Sequence, residues 1–310
     1  MRFLACVLAL IGSLLWSEAA WGAVKKVVAT TGMIADTARN IAGERARVTA
    51  LMGEGVDPHL YKATPGDMRL LADADLILYN GLHLEGRLGD VLVRMARRVP
   101  TVQVTDTIPE DLLHEPPEFA GHYDPHVWFD VRLWKIVAGR IAEALCEIDP
   151  EGRGHYRARL ETYTKTLDAL HDWALERFAT IPPERRVLVT AHDAFGYLGS
   201  AYGIRVMAIQ GISTDSEAGI KDINHLVDTV VELKVPAVFV ETSVPRKTIE
   251  ALVEGARARG HRLVIGGELY SDALGREGTP EGTYVGMIRH NVNTIVAALS
   301  GDDRPGGSPR

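Results

Sequence analysis

The tripeptide Asp-Pro-His occurs twice, at Asp57-Pro58-His59 and at Asp124-Pro125-His126. A third histidine, His192, follows His126 by 66 residues, nearly the 67 that separate the first two, and Asp272 lies 80 residues further on. Three imidazoles and one carboxylate from four distant segments form a complete donor set for a divalent transition metal. Proline confines its predecessor to extended backbone and fixes its own φ, so each Asp-Pro step presents its histidine on a stiff turn. Asp57 and Asp124 are candidates to orient an imidazole from behind, or simply to initiate the turn. Glu241, and more weakly Asp193, are further candidates for such support.

The remaining histidines, His83, His114, His122, His155, His171, His225, His261 and His290, read as surface or satisfied residues. His122, four positions before His126, is the alternative ligand, but it lacks the Asp-Pro context. With His59, His126 and His192 alone, the set would match a zinc-dependent hydrolase that keeps an open water position, with Asp272 or Glu241 as its base. Against an enzyme, the chain contains no His-Glu-x-x-His helix and no Gly-x-Ser-x-Gly elbow. A fourth protein ligand closes the site, which suits carriage rather than turnover. The first strand–helix turn, Thr30-Thr-Gly-Met-Ile-Ala35, lacks the Gly-x-Gly-x-x-Gly of dinucleotide binders.

Elements that alternate along the chain must position these residues. Strands are predicted at Lys25–Thr30, Val48–Met52, Asp75–Tyr79 and Val102–Thr105, with helices at Met33–Ile41, from Thr64-Pro65, and at Gly86–Arg98. This pattern implies a parallel sheet covered on both faces. The middle is helical throughout, over Val131–Ile148 and His155–Ala179. In the second of these, Tyr156, Leu160, Tyr163, Leu167, Leu170, Ala174 and Phe178 form one apolar stripe. A second strand–helix block has strands at Val187–Thr190, Arg205–Ile209, Ala237–Glu241 and Leu263–Gly266, and helices at Ile220–Lys234, Arg246–Arg259 and Gly282–Ser300. The expected architecture is α/β: two βα lobes with mainly parallel four-stranded sheets, joined by one long backbone helix. Boundaries are expected at 24–150 for the first lobe, 151–181 for the helix and 182–300 for the second, with a Gly/Pro-rich disordered tail at 301–310. Ligands of open α/β sheets bind beyond the carboxyl ends of the strands. All four donors then fall on one edge.

The chain of 310 residues is 46% hydrophobic and 24% charged, with net charge −7, which argues against nucleic acid as a partner. Residues 1–23 read as a signal peptide: Arg2, an apolar run Phe3–Trp16, then small residues for cleavage. An uncleaved membrane anchor is the alternative. Cys6 interrupts the apolar run instead of following it, so a free periplasmic protein is expected over a lipid-anchored one. Cys146 is then alone, without a disulfide partner, on an apolar helix face as a buried thiol.

Five segments together are specific enough to carry a resemblance. Gly55-Val-Asp57-Pro-His59-Leu-Tyr-Lys-Ala-Thr-Pro65-Gly-Asp67, Asn80-Gly-Leu-His-Leu-Glu85, Asp124-Pro-His126-Val-Trp128, Thr190-Ala-His192-Asp-Ala-Phe195 and Leu269-Tyr-Ser-Asp272-Ala-Leu-Gly275 resemble, in order, motifs of the zinc- and manganese-binding solute receptors of ABC importers, TroA-like members above all. The resemblance spans nearly the whole chain after the signal segment. It implies two lobes on one backbone helix, a metal ion between them held by His59, His126, His192 and Asp272, and an ABC permease as the membrane partner of a periplasmic monomer with no enzymatic substrate. Manganese receptors of the family carry glutamate at the third position, where this chain has His192. One zinc branch carries a long His-rich loop before the second ligand, where this chain has only His114 and His122. Zinc and manganese both stay open as the cargo, with iron a further option.

Overall fold

The structure is a computed structural model that describes residues 24–300 apart from Glu217. The expected signal peptide (1–23) and tail (301–310) lie outside the described residues. The first four strands, β1 (Lys25–Ala29), β2 (Ala46–Ala50), β3 (Leu76–Tyr79) and β4 (Thr101–Gln103), form a parallel sheet in the order β2-β1-β3-β4. The sequence Leu-Ile-Leu-Tyr of β3 is apolar at every position because the sheet is covered on both faces. Val27, Ala29, Leu76 and Leu78 point to one core, and Val28 and Ile77 to another. The first face is covered by α1 (Gly32–Ala42) through Met33, Ile34, Ala38 and Ile41. The other receives Leu71 of α2 (Pro65–Ala72) and Leu92 of α3 (Gly89–Met95). Thr64 and Asp67 cap α2 reciprocally, with Pro65 at its first position.

Two long helices follow, α4 (Val131–Ile148) and α5 (Arg153–Ala179). The 27 residues of α5 span about 40 Å. Its stripe is buried at Tyr156, Tyr163, Leu167, Leu170, Ala174 and Phe178, with Leu160 at the edge. After it come β5 (Val187–His192), α6 (Gly196–Tyr202), β6 (Arg205–Gln210), α7 (Ile220–Glu232), β7 (Ala237–Glu241), α8 (Lys247–Ala258), β8 (Val264–Leu269) and α9 (Tyr284–Leu299). Helices α7 and α8 cover the outer face of the second lobe with Leu226, Val227, Val230, Ile249 and Leu252. The inner face joins the first lobe: side chains of α1, α4, α5, α6 and α9 belong to one continuous core. The spine helix is thus the centre of a common core.

The architecture is the expected one, with local differences. The second-lobe ladder runs as two parallel pairs, β5 with β6 and β7 with β8. β5 lies beside β7, but the amides of Ala191 and His192 donate to the Glu241 carboxylate. β2 begins two residues before the predicted strand, β8 runs on to Leu269 with an irregularity in its register against β7 at Val238/Phe239, and α3 is shorter, led in by one 3-10 turn at Gly86–Leu88. Helix α6 has only seven residues and no apolar period long enough to announce it. Cys146 is buried as expected, and burial pushes its thiol pKa up. No helix among the described residues is long and apolar enough to cross a membrane.

At the joint between α4 and α5, Asp149 accepts two bonds from the Arg45 guanidinium, at 2.7 and 3.0 Å, and one from Tyr156 Oη at 2.6 Å. The Arg45 bond, helped by Tyr156, holds the carboxyl pKa down to about 2. A depressed folded-state pKa adds stability that is present above the ordinary carboxylate range and lost as pH falls toward 2. Asp149→Asn is expected to cost about 2 kcal/mol at pH 7 in urea denaturation, with the penalty shrinking as pH approaches 2. A pH-independent penalty would refute the ionic origin.

Candidate metal centre

The four residues singled out from the sequence come together. His59, His126, His192 and Asp272 are all buried, and one donor atom from each lies within 4.8 Å of every other. His59 sits in the loop between β2 and α2, His126 just before a 3-10 turn at Val127–Phe129, His192 at the last position of β5, and Asp272 in the loop after β8. Two donors thus come from each lobe, at the carboxyl end of its sheet.

Local chemistry fixes each presentation. In both Asp-Pro-His turns the aspartate accepts the amide of its own histidine, at 2.8 Å for Asp57–His59 and 2.9 Å for Asp124–His126. Turn initiation and imidazole support, posed as alternatives, combine in Asp124, whose Oδ1 also meets His126 Nδ1 at 2.7 Å. Asp57 serves the turn only; its other oxygen takes the Thr214 hydroxyl of the second lobe at 2.6 Å. Glu241, at the end of β7, meets His192 Nδ1 at 2.5 Å while capping two β5 amides. Each of these imidazoles therefore turns Nε2 inward. Asp193 lends its backbone amide to Gly211.

The Asn80–Glu85 segment brackets both tripeptides, a role no single-residue signal in the sequence announces. Buried Glu85 accepts Thr30 Oγ1 at 2.7 Å and the amides of Asn80 and Gly81 at 2.6 and 3.0 Å. The Asn80 side chain donates to Pro125 O at 3.1 Å. Gly86, at φ +34°, passes so close to His59 that a Cβ there would lie 2.4 Å from its carbonyl oxygen. His122, the alternative ligand, is exposed and packs on His83, away from the cluster.

Inside the cage, His59 Nε2 and His126 Nε2 are 3.3 Å apart, His126 Nε2 and Asp272 Oδ1 3.4 Å, and His192 Nε2 and Asp272 Oδ2 3.3 Å. A tetrahedral ion with bonds near 2.0–2.1 Å has edges of about 3.3–3.4 Å. His192 Nε2 and Asp272 Oδ1 are buried without a hydrogen-bond partner among the described residues, a costly state that a bound cation relieves. Burial lowers the His59 pKa to about 3, the Asp272 charge offsetting it only in part. Burial also disfavours charge on His126, but Asp124 and Asp272 overcome it and raise the pKa to about 9. Glu241 and Asp272 likewise overcome burial at His192 and hold it well above the ordinary imidazole value. The same pairing outweighs burial at Asp272, whose carboxyl stays well below the usual range.

Two α/β lobes on a shared helix, with a four-donor cage in the cleft, define a two-lobed binding protein. The family model described as ZnuA, zinc-uptake complex component A, periplasmic, matches residues 27–298. The zinc-binding protein TroA of Treponema pallidum (strain Nichols) is 48% identical over 308 residues, which cover 96% of this chain and 98% of that one. The manganese-binding lipoprotein MntA of Bacillus subtilis (strain 168) is 48% identical over 274 residues, 88% of this chain and 89% of its own. Among solved structures, the periplasmic zinc-binding protein TroA from Treponema pallidum aligns with a TM-score of 0.87 at 49% identity, over 89% of this chain and 99% of that one. The chain belongs to the ZnuA family of metal-binding receptors.

Two expectations follow from the cage. With its pKa raised to about 9, His126 holds a proton at pH 7.5 that a metal must displace, and His192 is shifted in the same direction, so binding is expected to release protons, and affinity should climb with pH toward 9. Calorimetry in buffers of different ionisation enthalpy measures this; no proton release at pH 7.5 would contradict it. Separately, Glu241→Gln should weaken metal binding about 10- to 100-fold through loss of imidazole orientation, as read by chelator competition. Unchanged affinity would show that Glu241 serves the β5 backbone alone.

Proposed function

We propose that this protein binds one zinc or manganese ion outside the cytoplasm through His59, His126, His192 and Asp272 and delivers it to the membrane permease of an ABC importer. The observation that carries the reading is the convergence of four buried donors, two from each lobe, all within 4.8 Å of one another and in three contacts at 3.3–3.4 Å, near the edge of a tetrahedral site. The relatives support the cargo class: one is named for zinc, another for manganese. Zinc suits the three-imidazole set and leads at equal supply. Both oxygens of Asp272 face imidazoles, which leaves a two-oxygen contact available to manganese, an ion that takes more donors. Loading from a scarce pool favours a closed site over one with a standing water position.

The extracytoplasmic location rests on the apolar run of residues 1–23 and on the relatives' descriptions as periplasmic or lipoprotein. Because Cys6 interrupts that run, the form released by cleavage, acting as a monomer, is the reading adopted here over an uncleaved anchor. The three-histidine hydrolase alternative finds no support: Asp272 stands 3.3–3.4 Å from two of the histidines, where an open water position would be required.

Asp272→Ala tests the reading. Zinc affinity, read by chelator competition, is expected to fall by about 100-fold or more when one of four donors is removed. Tight binding retained without Asp272 would overturn the four-ligand carrier and restore the three-histidine centre.

A further inference from the structure

We infer that His83 and His122 form a second, exposed site for an imidazole-preferring divalent ion such as Zn2+, separate from the buried centre. Their ring centroids are 4.4 Å apart and the planes cross at 74°, although the residues are 39 positions apart. Both side chains are exposed, and their rings meet edge to face. Two adjacent imidazoles open to solvent offer two neutral nitrogen donors and leave the remaining coordination positions to water. They border an open cavity of ≈ 610 Å³ that Asp90 and Tyr123 also line, which gives a hydrated ion room and places a carboxylate on its wall.

The pair is held in place. His83 has φ +65° and Leu82 before it φ +52°, a left-handed pair of non-glycine residues that costs roughly 1–2 kcal/mol per residue relative to ordinary backbone. The bonds from the amides of Asn80 and Gly81 to buried Glu85, and from Leu84 N to Gly81 O, impose this turn and turn His83 outward. On the facing segment, His122 N bonds Phe119 O at 3.0 Å, Gly121 N bonds Glu115 Oε1 at 2.9 Å, and the Phe119 ring lies 5.2 Å from the His122 ring. Asn80 to Pro125 O then ties the two segments together. Both rings are thus presented by turns whose backbone is already fixed, which lowers the ordering cost of binding an ion. Imidazole pairs select Zn2+ over Mn2+, which favours oxygen donors. The site stands on its own geometry and does not depend on the carrier reading.

Calorimetric titration of the purified protein with Zn2+ tests it. The wild-type protein is expected to take two equivalents, one tight and one weak, and Mn2+ only the tight one. His122→Ala and His83→Asn, the latter chosen because asparagine tolerates positive φ, should each lose the weak equivalent and keep the tight one. Asp272→Ala should lose the tight equivalent and keep the weak one. A tight equivalent alone in the wild type, a weak equivalent that survives both histidine changes, or Mn2+ filling both sites would overturn the inference. Absence of the tight equivalent in the wild type would instead refute the proposed carrier function and leave the exposed pair intact.

Discussion

The Asp272 carboxylate lies buried between His126 of the first lobe, at 3.4 Å, and His192 of the second, at 3.3 Å. An isolated charge in that position is prohibitively costly, so the surroundings must supply the opposite sign. Asp124 and Glu241 press on the far sides of the same two imidazoles and add two more negative charges. Three carboxylates around three imidazoles favour positive charge at the centre, whether from protons on the raised imidazoles His126 and His192 or from a bound dication. Exchange of one form for the other keeps part of that buried negative charge offset at the lobe interface.

The fold serves this exchange by making the cleft stiff. The two lobes share one apolar core around α5, and further bonds cross between them near the cage: Trp128 Nε1 to Ser271 O at 3.0 Å, Tyr197 Oη to Asp124 O at 3.0 Å, and Tyr284 Oη to Trp128 O at 2.8 Å. Phe129 stacks on Phe195 at 4.5 Å. Wide separation of the lobes would break this packing together with the bonds, at the cost of exposing the common core.

Much of this was legible in the sequence because the signals are local. The Asp-Pro-His repeat is visible since proline stiffness acts on its immediate neighbours, and the α5 stripe is visible since a helix this long repeats its pattern many times. The convergence of four donors followed from their placement at strand ends. What stayed hidden depends on contacts across the chain. Asp57 and Asp124 share a tripeptide, yet only Asp124 reaches an imidazole, while Asp57 reaches Thr214, 157 residues away. The predicted strand over β2 runs two residues too far because Leu51-Met52 continues its apolar run past Ala50, where pairing stops. The pairing of His83 with His122 has no sequence signature: His83 reads as an ordinary surface histidine and His122 as an alternative ligand to the cage. Glu85 reads as part of a motif, but its work as a buried acceptor for a strand end is geometric.

The contact between Asp36 and α9 bears on how the molecule is made. Asp36, on the first helix, is buried, and burial pulls its carboxyl pKa upward; its Oδ2 accepts the amide of Tyr284 at 2.9 Å, at the start of the last helix. A carboxylate at a helix N-terminus is well placed, but this helix is 248 residues away along the chain. While the chain emerges from the ribosome, the first lobe can assemble its sheet but cannot satisfy Asp36 or complete the common core. The contact closes a very long loop, which makes it a late event in folding. A chain whose core is completed by its last helix reaches its final packing only once residues 284–299 are made.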